Sequence, residues 1–368
     1  MPSMLLRRDD VLVGVDTHKD EHVAVLLDGL GGRLGEKFIP ATAAGFTDLL
    51  SFCQSHIGPA GRLVGFGVEG TGSYGIGLAR YLRRQGQTVH EVHRPPRRGE
   101  RRMSGKSDSI DAEYAARQVL AGSMMAVPKT ADGQVEALRL LKIARDSAVK
   151  AQTSAMITLK ATLVTADDQL RAELEPLTDH KLVLACAALD SPPCLSDPDA
   201  AMRHVLASLA RRWLTLHDEV KIHTAHLKTQ TKTAAPQLVA AVGVGFDIAA
   251  EMLTTAGDNR TRIKSEAAFA KMCGACPIPA GSGKTNGRHR LNRGGNRQAN
   301  AALYRATIVR MRWHQPTIDY VARRTQEGLS KREIIRCLKR FLAREIYHLL
   351  PPLAEQLEAP QQPLQTAA

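Results

Sequence analysis

Two short apolar runs, each closed by a carboxylate, set the strongest constraint on how this chain can fold. Residues 11–15, Val-Leu-Val-Gly-Val, lead directly into Asp16, and residues 63–68, Leu-Val-Gly-Phe-Gly-Val, lead directly into Glu69. Short runs rich in Val read as buried strands. A charge at the end of such a strand lies beside a core, which costs free energy unless something compensates it. A second acidic pair, Asp108 and Asp111, stands at i and i+3 within Ser-Asp-Ser-Ile-Asp-Ala-Glu-Tyr-Ala-Ala, residues 107–116. That spacing puts both carboxylates on one side of a helix, where they repel unless a cation lies between them.

Around these residues the chain alternates. Strands are expected over residues 11–15, 22–27, 36–39, 63–68 and 88–92, and helices over 43–56, 74–85 and 107–120, the last with Ser107 as its N-cap. Three strands, a helix, then strand, helix, strand, helix is the order of the ribonuclease H-like fold. In that order, acidic residues of the first strand, the fourth strand and the last helix converge on one sheet edge. Residues 134–174 contain no Gly or Pro and are expected to form one long helix, with a Pro-containing connector over 175–198. From Asp199 a second long helix carries Met202, Leu206, Leu209, Trp213, Leu216, Val220, His223 and Leu227 in alternating steps of four and three. Such a heptad seam fits an antiparallel hairpin or an intermolecular coiled coil, and hence a homo-oligomer. Further helices are expected over 265–273, 298–312 and 316–350. The predicted class is α/β plus α: a ribonuclease H-like domain over 1–127, a helical hairpin or coiled-coil region over 128–234, a mainly helical C-terminal domain over 235–350 and a disordered tail over 351–368.

Charge identifies the class of partner. Lys and Arg total 50 against 37 acidic residues, a net +13, and a polyanion is the natural partner for such a chain. The basic residues cluster: Arg97, Arg98, Arg101, Arg102 and Lys106 precede the Asp108–Asp111 pair, while Lys284, Arg288, Arg290, Arg293 and Arg297 fill a Gly-rich stretch. A third run, from Arg323 to Arg344, follows on the last helix. Aromatic residues make up only 4%, which argues against base stacking as the main binding mode. Six cysteines do not form a disulfide framework, and no segment reaches the ~20 apolar residues of a membrane span, so a cytoplasmic protein is expected.

Four local motifs bear on chemistry. The carboxylates Asp16, Glu69, Asp108 and Asp111 form a donor set suited to a pair of Mg2+ ions, which position and activate oxygens in phosphodiester chemistry. Gly243 and Gly245 lie between two apolar helical runs, either as a phosphate-approaching turn or as a tight helix–helix turn. Residues 279–285, Pro-Ala-Gly-Ser-Gly-Lys-Thr, do not make a P-loop, because Ile278 stands where its first Gly is needed. They do place Ser282 between two glycines in a basic loop, as a hydroxyl able to act as a nucleophile or merely to touch phosphate. Cys273 and Cys276 have half the spacing of a zinc site, with no second pair to complete it.

Taken together, these stretches resemble one family. Val-Gly-Val-Asp-Thr-His-Lys (13–19), Val-Glu-Gly-Thr-Gly-Ser-Tyr-Gly (68–75) and Gly-Lys-Ser-Asp-Ser-Ile-Asp-Ala (105–112) look like the signature of DEDD transposases of the IS110 insertion-sequence family. Its C-terminal signature appears in Val-Gly-Val-Gly (242–245), Ala-Gly-Asp (256–258), residues 269–277, Ser282-Gly283 and Arg-Gly-Gly-Asn-Arg (293–297). The resemblance implies a RuvC-like N-terminal domain holding Mg2+ on the four carboxylates. It also implies a C-terminal transposase domain whose serine, Ser282 here, attacks DNA. The resemblance further implies that the two sites combine between protomers of a tetramer, with a structured bridge RNA selecting target and donor DNA, in a nucleoid-associated protein. The family often has Ser-Ser-Gly where this chain has Gly281-Ser282-Gly283. Two other readings stay open on residues alone: a metal-dependent junction nuclease that uses water, and a non-enzymatic nucleic-acid-binding protein.

Overall fold

The computed structural model describes residues 6–92, 107–123, 125–190, 196–281, 289–292 and 294–351. The chain divides into two compact units, Met1–Asp132 with Gly257–Lys264, and Gly133–Ala256 with Ser265–Ala368.

The first unit is a sheet covered by helices. Its elements are β1 (Val11–Thr17), β2 (Glu21–Asp28), β3 (Arg33–Pro40), α1 (Ala43–Ser55), β4 (Leu63–Glu69), α2 (Ile76–Arg84), β5 (Val89–Val92), α3 (Asp108–Leu120) and β6 (Met125–Ala126). The strand order is β3-β2-β1-β4-β5-β6. The β1–β2, β2–β3 and β5–β6 pairs are antiparallel, and β4 runs parallel to both β1 and β5. Most elements lie within two residues of their predicted bounds, although β3 begins three residues earlier. Ser107 occupies the N-cap position of α3 as expected, but its side chain makes no capping hydrogen bond.

Alternation along the strands sorts the apolar residues onto two faces. Val11, Val13 and Val15 pack with Leu26, Phe46 and Leu78 on the face covered by α1 and α2. Val23, Val25 and Leu27 pack with Ala112 and Ala116 of α3 on the opposite face. Helix α3 lies unusually low there because two glycines pave the sheet beneath it. Gly14 of β1 and Gly67 of β4 are partners in the parallel ladder. A Cβ on Gly14 would stand 2.0 Å from the Ala112 carbonyl oxygen and 2.2 Å from the Ala116 nitrogen. A Cβ on Gly67 would stand 2.7 Å from the Ala115 carbonyl oxygen.

A segment from far along the chain completes this unit. Asn259 accepts a hydrogen bond from the Thr130 N–H at 3.1 Å and donates one to the Pro128 carbonyl at 2.8 Å. Gly257, at φ +83°, leaves room for the Lys129 side chain.

The second unit is helical: α4 (Gln134–Leu163), α5 (Asp168–Leu174), α6 (Asp179–Ala187), α7 (Pro198–Ala234), α8 (Pro236–Ala240), α9 (Phe246–Ala256), α10 (Glu266–Met272), the hairpin strands β7 (Pro277–Pro279) and β8 (His289–Leu291), α11 (Arg297–Trp313), α12 (Gln315–Gln326) and α13 (Lys331–Leu349). Helices α4 and α7 form an antiparallel hairpin, pinned by Gln152 to His217 at 3.2 Å and by Arg145 donating to Thr224 at 3.0 Å. Lys142 of α4 ties this hairpin to α9 through Asp247, at 3.0 Å.

Two expected helices are each broken in two. The helix expected over 134–174 stops at Leu163, because the Asp167 carboxylate accepts from the N–H groups of Gln169 and Leu170 and starts α5 afresh. That break folds α5 and α6 back, so that Leu159, Leu163, Leu170, Leu174 and Leu182 share a core with Leu206 of the heptad seam. The helix expected over 316–350 is interrupted at Gly328, which has φ +85°. Ser330 and Glu333 then form a reciprocal capping box that opens α13.

The Gly14 contact leads to a direct expectation. Gly14→Ala must lift α3 or buckle β1, and should cost about 1–3 kcal/mol or more of stability in urea unfolding. Gly67→Ala, with a looser clash, should cost less. Equal stabilities for wild type and both variants would contradict the close packing of α3.

Candidate functional site

The glycine pair also aims the carboxylates. Side chains two apart on a strand share a face, so Asp16, two beyond Gly14, and Glu69, two beyond Gly67, both turn to the α3 side. Strand β1 continues through Asp16 to Thr17, and the Thr17 hydroxyl donates to the Glu69 carbonyl at 2.8 Å, fastening the two strand ends together. Helix α3 begins at Asp108, and its first turn carries both Asp108 and Asp111. The four sequence-predicted carboxylates therefore gather at the ends of β1 and β4 and the start of α3.

Electrostatics record that gathering. Asp16 is 7% exposed. Burial pushes its carboxyl above the ordinary 3.8, against the pull of His18, and the charges of Glu69, Asp111 and Asp108 push it further. Three carboxylates thus act on a fourth that is already desolvated.

His18 is the residue that sequence reasoning passed over. The tight turn between β1 and β2, where the His18 N–H donates to the Glu21 carbonyl at 3.2 Å, projects the imidazole over the carboxylates. Its Nε2 lies 3.3 Å from Asp16 Oδ2 and 3.4 Å from Asp108 Oδ2. Among the described residues, Asp16, His18 and Asp108 form the one group of three ligating side chains whose donor atoms all lie within 4.8 Å of one another. The available signal was the Asp-x-His spacing at a strand end, but only the turn brings the ring back to the acids.

The donor chemistry fits a hard cation. Carboxylate oxygens predominate, as Mg2+ prefers, and the described thiols lie elsewhere. Among the described residues, the Cys273–Cys276 pair gains no third ligating side chain. Burial pushes the Cys273 thiol up to about 12, and Cys276 accepts a hydrogen bond from Asn292 at 3.3 Å.

The other predicted site residues fare unevenly. Gly243 has φ +78°, and a Cβ there would meet the Ala306 carbonyl oxygen at 2.9 Å, so its role in packing against α11 accounts for it. Arg310 reinforces that contact by donating to the Val242 carbonyl at 2.7 Å. Gly245 stands open just before α9. Arg290 is exposed on β8, and Arg297 is exposed at the start of α11. Arg97, Arg98, Arg101, Arg102, Lys106, Ser282, Lys284, Arg288 and Arg293 lie outside the described residues.

Two family models match the chain. Residues 13–166 match the model of the IS110-type DEDD transposases, described as a transposase, and residues 236–322 match that of the transposase IS116/IS110/IS902 family. No curated protein matches the chain.

The acidic cluster makes a prediction of definite sign. Because the folded state raises the Asp16 pKa, it binds more protons than the unfolded chain above pH 3.8, so stability falls as pH rises through the raised value. Asp16→Asn should flatten that decline in metal-free protein and also reduce the rise in melting temperature on adding Mg2+. An unchanged pH profile together with an unchanged Mg2+ response would contradict the assignment.

Proposed function

The chain belongs to the IS110 family of transposases, enzymes of DNA transposition encoded by insertion sequences, and on that premise we propose that it cuts and rejoins DNA with metal-bound carboxylates and a serine nucleophile. Asp16, Glu69, Asp108 and Asp111 would hold two Mg2+ ions, with His18 orienting Asp16 and Asp108. The observation that carries this reading is the buried Asp16 carboxyl under the field of three further acids. Bound metal would neutralise that cluster and polarise phosphodiester oxygens. The strand order β3-β2-β1-β4-β5, with carboxylates at the ends of two adjacent parallel strands, supports a ribonuclease H-like, RuvC-like unit.

Ser282 would supply the nucleophile. Its Oγ bonds to phosphorus, the bond from phosphorus to one sugar oxygen breaks, and the serine proton ends on the sugar hydroxyl released. The phosphoserine ester conserves the bond energy, so a hydroxyl from another strand can attack it, regenerate serine and rejoin the DNA. Lys284, Arg288, Arg290 and Arg293 would bind the backbone and offset charge on the phosphate. The basic stretch from Arg97 to Lys106 would draw DNA towards the carboxylates, and Arg297 and the open Gly245 amide would add phosphate contacts. A structured guide RNA, supported by the net +13 and the family resemblance, and a homo-oligomer, supported by the resemblance, complete the proposal. The protein would act on nucleoid DNA in the cytoplasm.

Trapping protein–DNA adducts on denaturing gels tests the assignment. Wild type should form an adduct, whereas Ser282→Ala and Asp16→Ala should form none and lose strand transfer by on the order of 10³-fold or more. An adduct that persists in Ser282→Ala would show that another residue attacks. Cleavage by Ser282→Ala at the wild-type rate, with a free 5′-phosphate, would show that water does.

A further inference from the structure

The second unit contains a cavity of about 680 Å3 between the β7–β8 hairpin, the end of α10 and the basic face of α13. Its lining includes His289, Arg290, Arg336, Lys339, Arg340 and Phe341. The volume falls within the range of about 300–1,000 Å3 usual for small-molecule sites.

Lys339 gives the cavity its character. It is 7% exposed, and among the described residues no carboxylate pairs with it. Its ammonium donates to Asn300 Oδ1 at 2.8 Å. The orientation of that amide is fixed, because its nitrogen donates to the carbonyls of Cys273 and Gly274 at 2.9 and 3.0 Å. Gly274, at φ +63°, permits this approach, since a Cβ there would lie 3.1 Å from the Asn300 nitrogen. Burial, and then the neighbouring Arg336 charge, pull the Lys339 pKa down. Glu333, an acid in the lining, is committed to the Ser330 capping box. A buried ammonium beside a second cation is unfavourable until an anion reaches it, and here it is held in place from behind by a rigid amide.

An aromatic surface adjoins the charge. Phe341 is 54% exposed, although it is a large apolar side chain. Its ring meets Tyr320 edge-on, with centroids 5.6 Å apart at 89°, which fixes the plane it presents. A phosphate alone would leave most of 680 Å3 unfilled. A phosphate carrying a sugar and a base would occupy far more of it, with the base lying on the ring.

We propose that this cavity seats one unpaired nucleotide of a bound nucleic acid, its phosphate on Lys339 and Arg336 and its base against Phe341. The inference rests on the preceding functional reading only in taking nucleic acid as the source of the phosphate. A base in an intact duplex is already stacked and cannot enter, so the site selects single-stranded segments.

The test uses the full-length chain. Thymidine 5′-monophosphate should raise the melting temperature of wild type, and of Asp16→Asn equally, so that failure of the carboxylate assignment would not be mistaken for failure of this one. Lys339→Met should abolish that rise while leaving the free protein no less stable than wild type, since an uncompensated buried cation is gone. By fluorescence anisotropy, Lys339→Met and Phe341→Ala should each weaken binding of a short oligothymidylate about tenfold, with little effect on a duplex of equal length. Oligouridylate in parallel distinguishes RNA from DNA as the natural source. Should Lys339→Met fail to fold, Arg336→Gln and Phe341→Ala carry the comparison. An equal shift from inorganic phosphate, with Phe341→Ala silent, would reduce the cavity to a simple anion site and overturn the proposal. Loss of stability in Lys339→Met with undiminished oligonucleotide binding would overturn it too, by making the lysine structural.

Discussion

Everything at the carboxylate edge depends on how closely one helix can lie on two strands. Gly14 and Gly67 are ladder partners, and each removes the one atom that would hold α3 away from the sheet. The approach is backbone against backbone, so no rearrangement of a flexible side chain could substitute for it. Because the strand period is two, the same glycines fix the face on which Asp16 and Glu69 appear. Because α3 starts at Asp108, the first turn of the lowered helix brings Asp108 and Asp111 to the same edge. Close packing and site assembly are therefore one event.

That event concentrates charge of one sign. Asp16 is desolvated and faces three other acids, with His18 pulling against both effects. Within the second unit Lys339 presents the opposite case, a buried ammonium beside a second cation with an amide oxygen as its partner. Neither arrangement favours stability in isolation, and surrounding structure holds each in place. At the edge of the first unit, apolar strands and a sheet-hugging helix do so. In the second, Asn300 and Gly274 do so. Charge concentrated in this way raises affinity for an ion of opposite sign, because binding relieves a cost already incurred on folding.

Element identity could be read from the chain where periodicity was strong. The strands 11–15 and 63–68 and the helices 107–120 and α7 emerge close to their expected positions, since burial on one face imposes a regular pattern on sequence. Helix breaks were harder to see. Neither Asp167 nor Gly328 interrupts the apolar pattern, and each acts through local hydrogen bonding, as an N-cap acceptor and a positive-φ turn. The excursion of residues 257–264 into the first unit has no periodic signature either, because the Asn259 amide, not an apolar stripe, anchors it.

Sequence by itself determined the acidic quartet. Carboxylates closing apolar strands, and an i, i+3 pair at a helix start, have few structural uses, and their spacing states which elements must meet. It also determined the basic clusters and the choice of polyanionic partner, since net charge does not depend on fold. Tertiary structure alone decided that His18 joins the quartet, because a turn of four residues folds the ring back over acids that are distant in the chain or on a neighbouring strand position. It likewise decided that Lys339, one of many basic residues along a helix, is the buried one. Helical periodicity gives each cation a face, but only the packing of α10, α11 and α13 around Asn300 removes one of them from water.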